Sequence, residues 1–120
     1  MPISVADLPL ASACVLELTQ GVSGPFCGKL LAEFVAQVVK AEPPTGEITR
    51  HRVPFPHAQA DLEENLQDLY LNTPKCSITL QLGCRAGMRL FKALLHRQIY
   101  AGWLGVRPHE QARLRSQGVL

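Results

Sequence analysis

Ser23, Gly24 and Pro25, in the turn Gln20-Gly21-Val22-Ser23-Gly24-Pro25, are the residues whose types and spacing suit a phosphate. Ser23 can cap a helix, and Pro25 in a first turn wastes no hydrogen bond. The amide groups at such a helix start could meet phosphate oxygens. Without a ligand, Gly24-Pro25 simply starts a helix, and the chain has no Gly-x-Gly-x-x-Gly fingerprint. Lys75 and Leu80 bracket a strand pattern further on, where Lys75 is either an anion partner or a solvated strand-end charge. Cys14, Cys27, Cys76 and Cys84 stand far apart, and the first three lie in apolar runs as small hydrophobes would. His51, His57, His96 and His109 are scattered and pair with no carboxylate or thiol at ligand spacing. Neither a disulfide framework nor a metal site is expected.

The elements that must position these residues follow from periodicity. Ala13 to Thr19 is short and mostly apolar, as a buried strand would be. Cys27, Leu30, Leu31, Phe34, Val35 and Val38 recur at helical spacing, which predicts a helix from about Ser23 to Ala36. Gln37 to Glu42 reads as a second strand, stopped by Pro43-Pro44. Strand, helix, strand at this spacing is a βαβ unit with parallel strands. Residues 43–58, rich in Pro, Gly, His and Arg, make a long loop of the kind that lies over a site. Asp61 can open a helix with Leu62, Leu66, Leu69 and Tyr70 on its apolar face and Asp68 solvated. Cys76 to Leu82 alternates as a third strand ended by Gly83. A long helical pattern runs from Arg85 through Leu104, and Pro108 opens a last short helix stopped by Gly118. The expected fold is α/β: a small three-layer, Rossmann-like domain with an open, mainly parallel sheet of about three strands. Unpaired sheet edges favour a homodimer or higher oligomer.

The 120 residues, 47% hydrophobic and 18% charged, suit one globular domain spanning 1–120. No apolar run reaches the roughly 20 residues that cross a bilayer, and the N-terminus lacks a basic leader. No membrane association and a cytoplasmic location are expected. Up to Gly83 five bases face nine acids, while from Cys84 onward seven bases face Glu110 alone. Such a tail either binds an acidic partner or complements the acidic half of the same fold, the latter being expected. No aromatic residues interleave with its arginines as stacking platforms, so nucleic acid is an unfavoured partner.

Val15-Leu16-Glu17-Leu18-Thr19, then Ser23-Gly24-Pro25-Phe26, then Leu30-Leu31-Ala32-Glu33-Phe34 follow one another in order. Val38-Val39-Lys40-Ala41-Glu42-Pro43-Pro44, a Gly46…Thr49-Arg50 pair, and Leu71-Asn72-Thr73-Pro74-Lys75-Cys76-Ser77-Ile78-Thr79-Leu80 come next. In this order and spacing, residues 8–96 resemble the N-terminal segment of the class III CoA-transferases and their related racemases. Residues 104–120, with Leu104-Gly105, Glu110, Leu114 and Gly118-Val119-Leu120, are similar to that family's extreme C-terminus.

The resemblance implies a CoA or acyl-CoA ligand at Ser23, Gly24, Pro25, the strand end Lys40 to Pro43, Lys75 and Leu80, with no covalently bound cofactor. Family members pass acyl groups through an aspartate that forms an anhydride and then a CoA thioester. That aspartate belongs to a middle portion with no counterpart here, and Asp7, Asp61 and Asp68 match no family catalytic position. No catalytic residue is therefore assigned, and activity by this chain alone is not expected. The alternatives are a subunit active with a partner that supplies the missing portion, and an interaction module built on the basic C-terminal helices. Val35 stands where the family has glycine after its first helix, and valine resists the positive φ a glycine cap supplies. Pro74 and Cys76 replace the usual Asn and Arg, and Gly83 stands where a basic residue is common.

Overall fold

The computed structural model describes residues 4–52, 65–97, 105 and 107–118. Strand β1 is Cys14–Glu17, helix α1 Ser23–Glu33 and strand β2 Gln37–Glu42. Helix α2 is Leu66–Asn72, β3 is Cys76–Thr79, α3 is Arg85–Leu94 and α4 is Pro108–Ser116. Short 3-10 turns occupy Val5–Asp7 and Ile48–His51. The three strands form one parallel sheet in the order β1-β2-β3. Its register sets Glu17 beside Lys40 and Lys40 beside Ser77. Helices α1 and α2 pack together, and α1 lies against β1 and β2. The expected second helix layer is not among the close packings of the described elements. No described helix is long and apolar enough to cross a membrane.

Local chemistry explains where the elements stop. Helix α1 ends at Glu33, short of the expected Ala36, because the chain turns over at Val35. Val35 N–H donates to Ala32 O and Ala36 N–H to Leu31 O, each at 3.0 Å, which is the Schellman pattern. The pattern needs a left-handed residue, and Val35 supplies it at φ 75°. A Cβ in that conformation costs roughly 1–2 kcal/mol. At the other end Ser23 is already helical and does not cap; Val22 flanks the helix without a side-chain hydrogen bond.

Asn65 caps α2, its Oδ1 accepting from Asp68 N–H at 2.9 Å. The expected start at Asp61 lies outside the described residues. Leu66, Leu69 and Tyr70, expected on the buried face, are exposed, whereas Asp68 and Leu71 are buried. The helix turns its polar side inward because charged partners await it there. Leu80 N–H donates to Glu42 O at 2.8 Å, prolonging the β2–β3 ladder past Thr79. Cys84 then caps α3 through Sγ, which accepts from Gly87 N–H at 3.3 Å. The part of the expected long helix over residues 98–104 lies outside the described residues.

Candidate functional site

In a parallel sheet the strand ends gather at one edge, where the connecting turns can meet a ligand. Here that edge carries the turn after β1, the loop Pro43 to Gly46 after β2, and Leu80 after β3. A cleft of about 410 Å³ opens among Glu42, Pro43, Thr45, Gly46, Ser77 and Thr79. Neither Ser23 N–H nor Gly24 N–H has an acceptor among the described residues. Gly24 must be glycine for a close approach: a Cβ there would lie 2.3 Å from the Thr19 side chain. The start of α1 is thereby pressed against the end of β1.

Beneath this edge lies a charged interior. Glu17, Lys40 and Glu42 alternate on the sheet face that α1 and α2 cover, and each is no more than 6% exposed. Lys40 Nζ donates to Glu17 Oε1 at 2.8 Å and to Thr19 O at 2.8 Å. Lys75 Nζ lies 2.9 Å from Glu17 Oε2. It also donates to Pro25 O at 2.7 Å and to Asn72 Oδ1 at 2.9 Å. Gly28 leaves room for this cluster, since a Cβ there would fall 1.9 Å from Glu17 Oε2. Burial depresses the Lys75 pKa, and the pairing with Glu17 works against that fall.

Glu42 is the second centre. Arg50 grips it with a fork, Nε at 2.9 Å from Oε2 and Nη2 at 3.0 Å from Oε1, while Ser77 Oγ donates at 2.6 Å. Burial raises the Glu42 carboxyl, but the Arg50 and Ser77 hydrogen bonds and the Arg50 charge outweigh it. Its pKa therefore lies below the ordinary 4.5. Arg50 Nη1 also stands 3.6 Å from Asp68 Oδ2. Asp68 Oδ1 accepts from Thr49 Oγ1 at 3.3 Å and Asn72 Nδ2 at 2.8 Å. Expected to be solvated, Asp68 is instead 4% exposed and committed to three neighbours. A polar cavity of about 160 Å³, lined by Lys40, Arg50, Asp68, Asn72 and Lys75 among others, runs through this network.

Of the residues expected at a CoA site, Ser23 and Gly24 lie at the strand-end edge. Pro25 is buried and meets Lys75 through its carbonyl. The Lys75 ammonium turns inward to brace α1 and is not a solvated strand-end charge. Leu80 is buried at 9% exposure. Lys40 and Glu42, from the strand end expected at a CoA site, turn into this buried network instead, and Glu17, Glu47 and Thr49 join them without having been expected at a site. For Glu17 the signal is a charge inside an otherwise apolar strand, in phase with Lys40 on the neighbouring strand.

Among the described residues, no lysine or arginine of the tail pairs with an acid of the first 83 residues. Glu17, Glu42, Glu47 and Asp68 are buried, and the basic partners of this group are Lys40, Arg50 and Lys75. Arg85, Arg89 and Lys92 on α3 are exposed and form no ion pair among the described residues. None of the four cysteines is in a disulfide; Cys27 and Cys76 are exposed, against their apolar sequence settings, and burial pushes the half-buried Cys14 thiol up. Among the described residues no cluster of His, Cys, Asp or Glu could hold a metal ion.

Open parallel α/β sheets in general meet their ligands at the strand-end edge. More narrowly, residues 10–98 match the sequence model of CoA-transferase family III, and the chain belongs to that family. It is 39% identical over 92 residues to the succinyl-CoA–L-malate CoA-transferase beta subunit of Chloroflexus aurantiacus, covering 77% of this chain and 22% of the relative. It is 40% identical over 86 residues to formyl-CoA:oxalate CoA-transferase of Streptomyces avermitilis, covering 69% of this chain and 19% of the relative. Among solved structures, a CaiB/BaiF family protein from Brucella suis superposes with a TM-score of 0.65 at 30% identity, over 74% of this chain and 24% of that one. Rv3272 from Mycobacterium tuberculosis gives 0.64 at 29% identity, over 91% of this chain and 30% of that one. The chain thus spans about a fifth of the curated relatives' length.

Proposed function

We propose that this chain binds CoA esters weakly at the strand-end edge and does not transfer CoA by itself. Weak binding is supported by the unengaged amides of Ser23 and Gly24 at the start of α1 and by the cleft at the ends of β2 and β3, in a family whose named members act on CoA esters. The absence of unaided transfer rests on the state of the aspartates. Asp68 is buried and tied to Arg50, Thr49 and Asn72, so it has no free oxygen to attack an acyl group. Asp7 sits in the first 3-10 turn, bonded to Ser4 N–H at 3.2 Å. Asp61 lies outside the described residues and matches no family catalytic position. Calorimetry with CoA and an acyl-CoA should give a dissociation constant weaker than about 1 µM, less than about 8 kcal/mol of binding. Sub-micromolar binding would show a complete site and defeat the proposal.

A second possibility is that the chain works with a partner chain that supplies the aspartate. One surface favours it: Phe26, Leu30 and Phe34 form an exposed apolar ridge along α1. Such a ridge suits a protein interface, and the relative from Chloroflexus is itself named as a beta subunit. A CoA-transfer assay, run with and without candidate partner chains, separates the two: exchange only in the mixture supports the partnered enzyme.

A further inference from the structure

Glu47 has no solvent exposure at all, and both of its carboxylate oxygens are spent on backbone amides. Oε1 accepts from Gly21 N–H at 2.6 Å, across 26 residues of sequence. Oε2 accepts from Thr49 N–H at 3.0 Å. The Glu47 N–H in turn donates to Glu42 Oε2 at 3.1 Å, at the end of β2. One residue therefore ties together the turn after β1, the end of β2 and the 3-10 turn of Ile48–His51. Gly21 can take part because its φ of +87° suits glycine, which turns its N–H inward. The turn is pinned a second time two residues earlier, where Lys40 Nζ holds Thr19 O. Between those two pins and the close approach of Gly24 to Thr19, the segment from Thr19 to Gly24 has little freedom.

We infer that Glu47 is a positioning residue: a buried carboxylate that holds the Gly21 turn so that the Ser23 and Gly24 amides face a CoA-ester phosphate. This role presupposes the CoA-ester binding proposed above. A carboxylate suits it better than an amide, because both oxygens must accept and neither may donate. Charge-assisted hydrogen bonds to a carboxylate are also about twice as strong as neutral ones.

The test uses the full chain, labelled with 15N, and the variants Glu47→Gln and Glu47→Asp. Glutamine keeps the shape but has only one acceptor oxygen, so one of the two amides loses its partner. Gly21 amide exchange should speed up about tenfold or more in Glu47→Gln, and CoA affinity should fall about tenfold, as expected for a lost hydrogen bond to a charged group. Leu71→Ala serves as the control, since Leu71 is a buried apolar side chain of α2 whose truncation lowers stability and removes no hydrogen bond to Gly21. The control should keep CoA affinity within about twofold, whereas a merely structural Glu47 would lose affinity only in step with stability. If Glu47→Gln does not fold, wild-type exchange and Glu47→Asp decide: an unprotected Gly21 amide in the wild type overturns the inference. CoA affinity unchanged in either folded Glu47 variant, with wild-type binding intact, overturns the positioning role alone. No CoA binding by the wild type overturns the underlying proposal, and the positioning role falls with it.

Discussion

The two faces of the sheet reverse the usual distribution of polar and apolar groups. On one face Glu17, Lys40 and Glu42 are buried beneath α1 and α2. On the other, Ala41 is buried, Leu16, Val39 and Ile78 are only half-buried and Cys76 is exposed. A charged interior survives because its members are matched: Glu17 between Lys40 and Lys75, Glu42 in the fork of Arg50, Asp68 against Arg50. Buried ions hold geometry at a desolvation cost that often cancels the attraction between them. The charged face is thus suited to fixing the turns above it, and the apolar face to meeting further polypeptide.

The largest effect that would sharpen this contrast comes from breaking the charged face. Lys40→Met leaves Glu17 with Lys75 as its one remaining cation and frees Thr19 O. It should cost about 3 kcal/mol, the low end for removing one member of a buried pair. Val39→Ala, the next residue but on the opposite face, should cost about 1 kcal/mol. Equal losses in urea unfolding would erase the distinction between the faces.

Acid should act on the charged face as well. The Glu42 pKa is lowered in the folded chain, so near the ordinary 4.5 the unfolded state binds more protons. Its stabilising contribution is therefore complete above that value and disappears as pH falls through the lower folded one. Urea midpoints taken from pH 7 downward should hold until about 4.5 and then drop, with a smaller drop in Glu42→Gln. A wild-type and variant decline of the same size would detach Glu42 from acid stability.

The smallest effect separates backbone strain from either face. Val35→Gly removes a Cβ from a left-handed turn at φ 75° and should stabilise the chain by about 1 kcal/mol. A loss of stability would mean the valine side chain contributes more than its strain costs.

The parallel sheet could be read from the sequence because each strand carried a short apolar run and each crossover a turn signal. The strain at Val35 was readable too, since valine stood where a glycine cap belongs. Burial of α2 was not: Leu66, Leu69 and Tyr70 keep helical spacing, yet the helix is rotated to present Asp68 and Asn72 to Arg50 and Lys75. Periodicity locates apolar residues and is blind to a core built from matched charges. Glu47 was invisible for a related reason, because its partner Gly21 contributes only a backbone N–H, which any residue type but proline offers.

One measurement bears most directly on the central claim that this chain recognises a CoA ester without passing CoA on. The purified chain is mixed with an acyl-CoA and a second, free carboxylic acid, and ester exchange is followed by mass spectrometry alongside a binding titration. Saturable weak binding with no new CoA ester is the expected result. A new CoA ester formed by the chain alone would contradict it.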